Sequence, residues 1–459
     1  METRGFMRYF LSDATTHIDQ VAGTSAYLAL LDKLRCRSAL VGVIGLGYVG
    51  LPLSKAIAET GFYVIGFDKD RAKILALKSG HSYVPAISDR EVADIRPRFE
   101  PSDTVESLSS CDVVIICVPT PLAKDRTPDQ SSVVEATKLI SAHLREAQLI
   151  IAESTNYPGS TRALLKPILE ASGLAAGHDF FLAYSPERED PGNSTYRTNN
   201  IPKIVSGIDE YSLRLVSEFY SSVMNSVVTV SSPETAEASK LLENTFRAVN
   251  ISLINELKQF FDGINIDIWE VIEAAKTKPF GFMPFYPGPG IGGHCIPVDP
   301  VYLTWHARNV HRPLYIVEAA DMINRAMPQI VVDKAMAAVS SRGTETDRRP
   351  RALVLGVAYK PNIPDVRESS ALAIIELLKS RCDVVAYHDP LVPELVTDGY
   401  TMRSVSLDIH SAAHFDVVII CTDHDDVNLQ ELAQTDAIVV DTRNAISRRN
   451  LRCKHLVKA

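Results

Sequence analysis

Residues 38–70 read SALVGVIGLGYVGLPLSKAIAETGFYVIGFDKD, and their punctuation decides the fold. Ala39 to Ile44 is an unbroken apolar run, the pattern of a strand covered on both faces in a parallel sheet. Gly45, Gly47 and Gly50 follow as G-x-G-x-x-G, an apolar-periodic stretch runs to about Thr60, and Gly61 stops it. FYVIGF then begins a second strand that ends at Asp68. Strand, glycine turn, helix and strand in so short a span open an alternating α/β sheet.

The pattern continues outward. Further buried strands read at CDVVIICVPTP (111–121), LIIAEST (149–155) and DFFLAYSPE (179–187). Beyond about residue 230 the period changes to 3.6. SPETAEASKLLENTFRAVNISLINELKQFFDGI (232–264) carries apolar residues at 241, 242, 246, 249, 253, 254 and 257, with Ser232 as N-cap. From 348 the chain restarts strand, loop, helix and strand, and FDVVIICTDHDD (415–426) and AIVVDTRNAI (437–446) add two strands. VVIIC occurs at both 113–117 and 417–421, each time after a strand–helix–strand unit. The expected architecture is α/β: two Rossmann-like, doubly wound parallel-sheet domains (38–230 and 343–459) joined by an all-helical domain with one long helix (231–342). Residues 1–37 form an extension with a weak helical pattern, AYLALLDKL, and receive no role.

Composition narrows the function. The 459 residues, 46% hydrophobic and 22% charged, suffice for about three domains. A net charge of −9 argues against nucleic acid or an anionic membrane as the main partner. The seven cysteines include no CxxC pair, which suits a reducing compartment and gives no metal signature. The start lacks an apolar core of signal-peptide length, and no run approaches about 18 apolar residues. The expectation is a soluble cytoplasmic protein without metal.

G-x-G-x-x-G alone is weak, but here a strand precedes it, a helix follows, and Asp68 stands 23 residues after Gly45. The glycines let backbone approach a pyrophosphate at a helix N-terminus, and Asp68 can accept from both ribose hydroxyls. A carboxylate there repels a 2′-phosphate, so NAD is expected rather than NADP. Lys73 either covers the same ribose or is a solvated helix residue.

A second constellation is spread over two segments. Lys240 and Asn244 stand one turn apart on the long helix and share a face; Lys240 alone could equally be a snorkelling surface lysine. In YPGPGIGGHCIPVDP (286–300), glycines and prolines fix the loop around Cys295, with Asp299 four residues on. Cys295 is either a small buried apolar residue or a nucleophile on a rigid platform. Beside an NAD site, a cysteine captures an aldehyde as a thiohemiacetal that oxidises to a thioester. Lys240 and Asn244 would steady the oxyanion and Asp299 would act as base.

The stretches GLGYVGLPL, CVPTPL, EST, SPEREDPGN, ASKLLENTFRAVNISLINEL, GPGIGGHCIPVDP, GVAYKPNIPDVRESSA and DTRN resemble the UDP-glucose/GDP-mannose dehydrogenase superfamily, from about residue 38 to the C-terminus. The resemblance implies two successive NAD-linked oxidations of a sugar C6 alcohol to a uronic acid. It places the nucleophile on Cys295, its aspartate on Asp299, the oxyanion pair on Lys240 and Asn244, and polar helpers on Thr155 and Glu187. It sets Tyr48, Val49 and Thr120 beside the cofactor, and Arg188 and Gly292 beside the substrate. Lys360, Arg367 and Arg443 alone could be surface charge; the resemblance turns Lys360 and Arg443 towards the UDP-sugar and Arg367 towards NAD. It also implies a homodimer, or a higher homo-oligomer, built on the long helix.

Two departures from the UDP-glucose branch stand out. Pro191 occupies the position of a second glutamate, and the segment before the glycine loop has Lys276 and Lys278 but no arginine. Both resemble the branch acting on UDP-N-acetylhexosamines, above all UDP-N-acetylglucosamine, with Arg188 or Asn193 as acetamido partners and surface polysaccharide as the destination. UDP-ManNAc, UDP-GalNAc and UDP-glucose are the alternatives. A hydroxyacid dehydrogenase would need neither the cysteine loop nor the third domain, a cysteine hydrolase would need a second histidine with triad context beside His294, and an inactive nucleotide-sugar-binding protein would be expected to have lost Cys295, Lys240 or Asp299.

Overall fold

The computed structural model of the chain describes residues 25–189, 198–342, 348–397, 399–407 and 414–459. It divides into two compact units that meet between Lys240 and Leu241, inside the helix Pro233–Gly263.

Unit one is built on an eight-stranded sheet: β1 (Leu40–Ile44), β2 (Tyr63–Phe67), β3 (Phe99–Ser102), β4 (Val113–Ile116), β5 (Leu149–Ala152), β6 (Phe181–Tyr184), β7 (Lys203–Gly207) and β8 (Val227–Thr229). The order is β3-β2-β1-β4-β5-β6-β7-β8, parallel except at β6–β7. The first six strands follow the 3-2-1-4-5-6 order of a dinucleotide-binding sheet, whose crevice opens where the order reverses, between β1 and β4. β4, β5 and β6 are buried at every position, as a sheet covered on both faces requires. The helix Ser25–Arg35, whose sequence gave no role, seals one face. Its Tyr27, Leu30, Leu31 and Leu34 join the core, and Lys33 pairs with Asp112 at 2.8 Å.

Unit two carries most of the long helix, the helices Ile268–Lys276, Asp299–Asn309 and Tyr315–Ser341, and a second parallel sheet. That sheet is β9 (Arg351–Leu355), β10 (Val384–His388), β13 (Val417–Ile420), β14 (Ile438–Asp441) and β15 (Leu456–Lys458), in the order β10-β9-β13-β14-β15. A hairpin of β11 (Glu394–Val396) and β12 (Thr401–Arg403) interrupts the crossover. The repeated VVIIC is β4 in one sheet and β13 in the other, each hydrogen-bonded to its sheet's first strand. The echo extends to the turns. Gly45 follows β1 at φ +94°, and a Cβ on it would lie 2.5 Å from the Cys117 carbonyl oxygen. Gly356 follows β9 at φ +78°, and a Cβ there would lie 2.2 Å from that of Thr422. Both positions exclude a side chain by space and by conformation.

The long-helix stripe divides. Leu241 and Ile254 are buried, whereas Leu242, Phe246 and Leu253 are exposed. Adjacent positions lie about 100° apart on a helix, so the apolar set covers two faces. Lys240 and Asn244, by contrast, are both buried, which removes the snorkelling reading of the lysine.

Candidate active site

In unit one the glycine turn is shaped for a close approach. A Cβ on Gly50 would fall 1.8 Å from the Gly45 carbonyl oxygen, while one on Gly47 would meet no protein atom within 4 Å. Gly50 therefore packs helix against strand, and Gly47 leaves open space over the backbone, as a pyrophosphate needs. Tyr48 and Val49 rest on the core beside it, and Thr120 is buried in the loop after β4. Asp68 sits at the end of β2, one oxygen accepting from the Leu46 N–H at 2.9 Å and the other from the Asp70 N–H at 2.9 Å. Lys73, its side chain 33% exposed, pairs with Asp68 at 3.1 Å and lies over the Tyr83 ring. These residues fit NAD.

At the carboxyl ends of β1, β5 and β6 a small cleft is lined by Val49, Leu53, Glu153, Glu187, Glu189 and Lys203, among others. Glu187 faces Lys240 at 3.5 Å. Burial pushes its carboxyl up, and the Lys240 and Lys203 charges pull against that. Glu189 donates its N–H to Glu187, and burial first, then the Glu187 charge, raises its carboxyl to about 8. Thr155 is half-buried two residues past Glu153, and Arg188 donates to the Pro202 carbonyl at 2.8 Å. Glu237, one turn before Lys240 on the long helix, is fully buried. Glu237 accepts from the Ser160 hydroxyl at 2.8 Å and the Thr161 N–H at 2.9 Å.

In unit two the Asn244 amide donates to the Asp299 carboxylate and its oxygen accepts from Arg247. Asp299 opens the helix Asp299–Asn309 and is 2% exposed. Its N–H donates to the Cys295 carbonyl at 2.9 Å, as does that of Val298 at 3.1 Å, so Cys295 and Asp299 are joined by one tight turn. The Cys295 thiol is half-buried and in no disulfide. The glycines before it are braced on the second sheet's loops. Gly293 donates to the Arg367 carbonyl at 3.1 Å, and a Cβ on Gly292 would lie 2.8 Å from Tyr359. Arg367 pairs with Asp365 at 2.6 Å, Lys360 lies beside the Tyr359 ring, and Arg443 donates to the Cys421 carbonyl at 2.7 Å. Lys276 and Lys278 are surface residues, paired with Glu273 and Phe280; Pro191 and Asn193 lie outside the described residues.

Glu153, Lys203, Tyr220 and Glu237 did not emerge from the sequence. The available signal was charge in an apolar frame: Glu153 directly follows the run LIIA, and Lys203 opens the apolar segment KIV.

A nucleotide-shaped glycine turn on a 3-2-1-4-5-6 sheet, joined in one chain to a rigid cysteine loop, defines a dinucleotide-dependent oxidoreductase. Comparison with known proteins narrows the class. Three models of the UDP-glucose/GDP-mannose dehydrogenase family match: the NAD binding domain over residues 39–224, the central domain over 234–326 and the UDP binding domain over 353–448. The UDP-N-acetyl-D-glucosamine 6-dehydrogenase of Pseudomonas aeruginosa is 35% identical over 414 residues, covering 88% of this chain and 96% of that protein. The structure of a UDP-D-ManNAc dehydrogenase from Pyrococcus horikoshii superposes with a TM-score of 0.81 at 32% identity, covering 89% of this chain and 96% of the other. A UDP-glucose dehydrogenase from Pyrobaculum islandicum superposes with a TM-score of 0.80 at 26% identity, covering 92% and 97%. The chain belongs to the UDP-glucose/GDP-mannose dehydrogenase family: it is an NAD-binding nucleotide-sugar dehydrogenase. No helix among the described residues is long and apolar enough to cross a membrane.

Proposed function

We propose that this chain oxidises the C6 hydroxyl of a UDP-N-acetylhexosamine, with UDP-GlcNAc as first choice, to the carboxylate in two two-electron steps. The observation that carries the reading is the Cys295–Asp299 turn, in which a cysteine in a glycine-fixed loop is bonded backbone-to-backbone to a buried aspartate that Asn244 engages. When bound, NAD supplies the hydride acceptor for each step. Asp299 takes the hydroxyl proton in the first oxidation. The Cys295 thiolate then adds to the aldehyde carbon to give a thiohemiacetal, whose oxyanion Lys240 and Asn244 stabilise. Loss of a second hydride leaves a thioester. Water, held by Thr155 and Glu187 and deprotonated through Asp299, adds to the thioester carbon and releases the acid and the thiol.

Gly45, Gly47, Tyr48, Val49, Gly50, Asp68, Lys73, Thr120 and Arg367 are assigned to NAD, and Arg188, Gly292, Lys360 and Arg443 to the nucleotide sugar. The UDP binding domain match, over residues 353–448, supports Lys360 and Arg443 in the second set. The choice of an N-acetylhexosamine is supported by the identity to the Pseudomonas aeruginosa enzyme and by the absence of an arginine before the glycine loop. The proposed setting is the cytoplasmic supply of uronic acids to a surface polysaccharide, and the proposed assembly a homodimer on the long helix.

Cys295→Ser tests the cysteine. The variant should form no acid while binding NAD and UDP-GlcNAc in calorimetry about as tightly as the parent. Acid formation at the parent rate would remove the thiol from the mechanism.

A further inference from the structure

One buried ion pair beside the cleft has no part in the chemistry above. Glu153, just past β5, is 2% exposed and Lys203, the first residue of β7, is 7% exposed. Their charges meet at 2.9 Å. The Tyr220 hydroxyl donates to the same carboxylate, and the Lys203 ammonium lies 5.1 Å from the centre of the Tyr220 ring. A buried ion pair is weak as a stabilising device, because desolvation offsets much of the attraction. What else Lys203 holds gives it a use. Its ammonium donates to the Pro186 carbonyl at 3.4 Å, at the peptide that leads into Glu187, and Arg188 returns the contact to the Pro202 carbonyl at 2.8 Å. Glu187 in turn faces Lys240 at 3.5 Å.

We infer that Lys203 is a positioning residue: anchored by Glu153 and Tyr220, it fixes the turn 186–188 and keeps Glu187 ionised opposite Lys240. This rests on the reading of Glu187 and Lys240 as reaction-site groups. The charges around Glu187 are Lys240 from the long helix, Lys203 from β7, Glu153 from the end of β5 and Glu189 from its own turn, with the buried Cys117 thiol after β4 feeling Glu153, Glu187 and Glu189. Burial favours the protonated acid, and Lys240 and then Lys203 oppose it. Removing the Lys203 charge makes Glu187 protonate at higher pH and leaves Lys240 without its counter-ion. Removing the Glu153 charge acts in the opposite sense. A role confined to folding would lower melting temperature in both variants and move neither titration.

The test is the pH dependence of kcat for the full-length protein, with saturating NAD and the nucleotide sugar the parent turns over fastest. The acid limb, where activity falls as Glu187 protonates, should rise by about one pH unit in Lys203→Met. It should move downward in Glu153→Gln, stay in place in Lys203→Arg and no longer respond to Lys203→Met when Glu187→Gln is also present. On the acid side of the parent's limb, kcat of Lys203→Met should fall by up to about tenfold while the KM of both substrates stays within about threefold. A limb unmoved in both Lys203→Met and Glu153→Gln, or one that Lys203→Met still shifts in the Glu187→Gln background, overturns the inference. Should Lys203→Met not fold, the direction of the shift in Glu153→Gln decides alone. Failure here leaves the cysteine chemistry standing, whereas turnover by Cys295→Ser removes that chemistry and leaves the comparison of limbs intact.

Discussion

At Asp68 each carboxylate oxygen already accepts from the fold, one from Leu46 and Lys73 and the other from Asp70. An oxygen accepts more than one hydrogen bond, so the side chain is held by the protein at an angle that leaves capacity for a ribose. Asp68→Ala should therefore act mainly on the cofactor. Losing charge-assisted bonds to two hydroxyls, about 1.5–3 kcal/mol each, should weaken NAD binding by about a hundredfold or more in calorimetry. Unchanged affinity would mean that the ribose lies elsewhere. Among the cysteines, residue-scale environment separates roles. Burial pushes Cys111 and Cys421 up to about 12, which leaves almost no thiolate near neutral pH. Cys295 alone sits in a glycine-fixed loop with a buried aspartate on its own backbone.

At the scale of elements, local signals were legible and distant pairings were not. The strand expected at Ala39–Ile44 is Leu40–Ile44, and the glycine turn was readable because Gly45 and Gly50 answer to backbone sterics within the motif. Lys203 and Glu153 lie 50 residues apart, and only the packing of β5, β6 and β7 brings them together. The same holds for Glu237 against Ser160 and Thr161, since spacing in the chain says nothing about which helix end a carboxylate will reach. The long helix shows the intermediate case: its period was plain, but two faces of apolar residues were read as one stripe. The exposed face, Leu242, Phe246, Leu253 and Phe260 at spacings of four, seven and seven, is 66%, 46%, 48% and 59% accessible. Burying each such side chain is worth about 1.5–3 kcal/mol, enough to hold two copies together. Leu242→Glu combined with Phe246→Glu should turn a dimer into a monomer in sedimentation; an unchanged mass would place the assembly on another surface.

For the whole molecule, the two sheets repeat one solution. Each has its first strand ended by a glycine at positive φ, pressed against the carbonyl of a residue just past the VVII strand. In the first sheet this opens a crevice for NAD; in the second it places Lys360 and Arg443 at strand ends, where ligands of such sheets bind. The proposed chemistry passes one substrate through two oxidations without release. The measurement that tests it most directly is NADH formed per nucleotide sugar consumed, with UDP-GlcNAc, UDP-ManNAc, UDP-GalNAc and UDP-glucose offered in parallel. We expect about two NADH per sugar, with UDP-GlcNAc the favoured substrate. One NADH per sugar, with aldehyde accumulating, would contradict it and leave Cys295 without a part in the reaction.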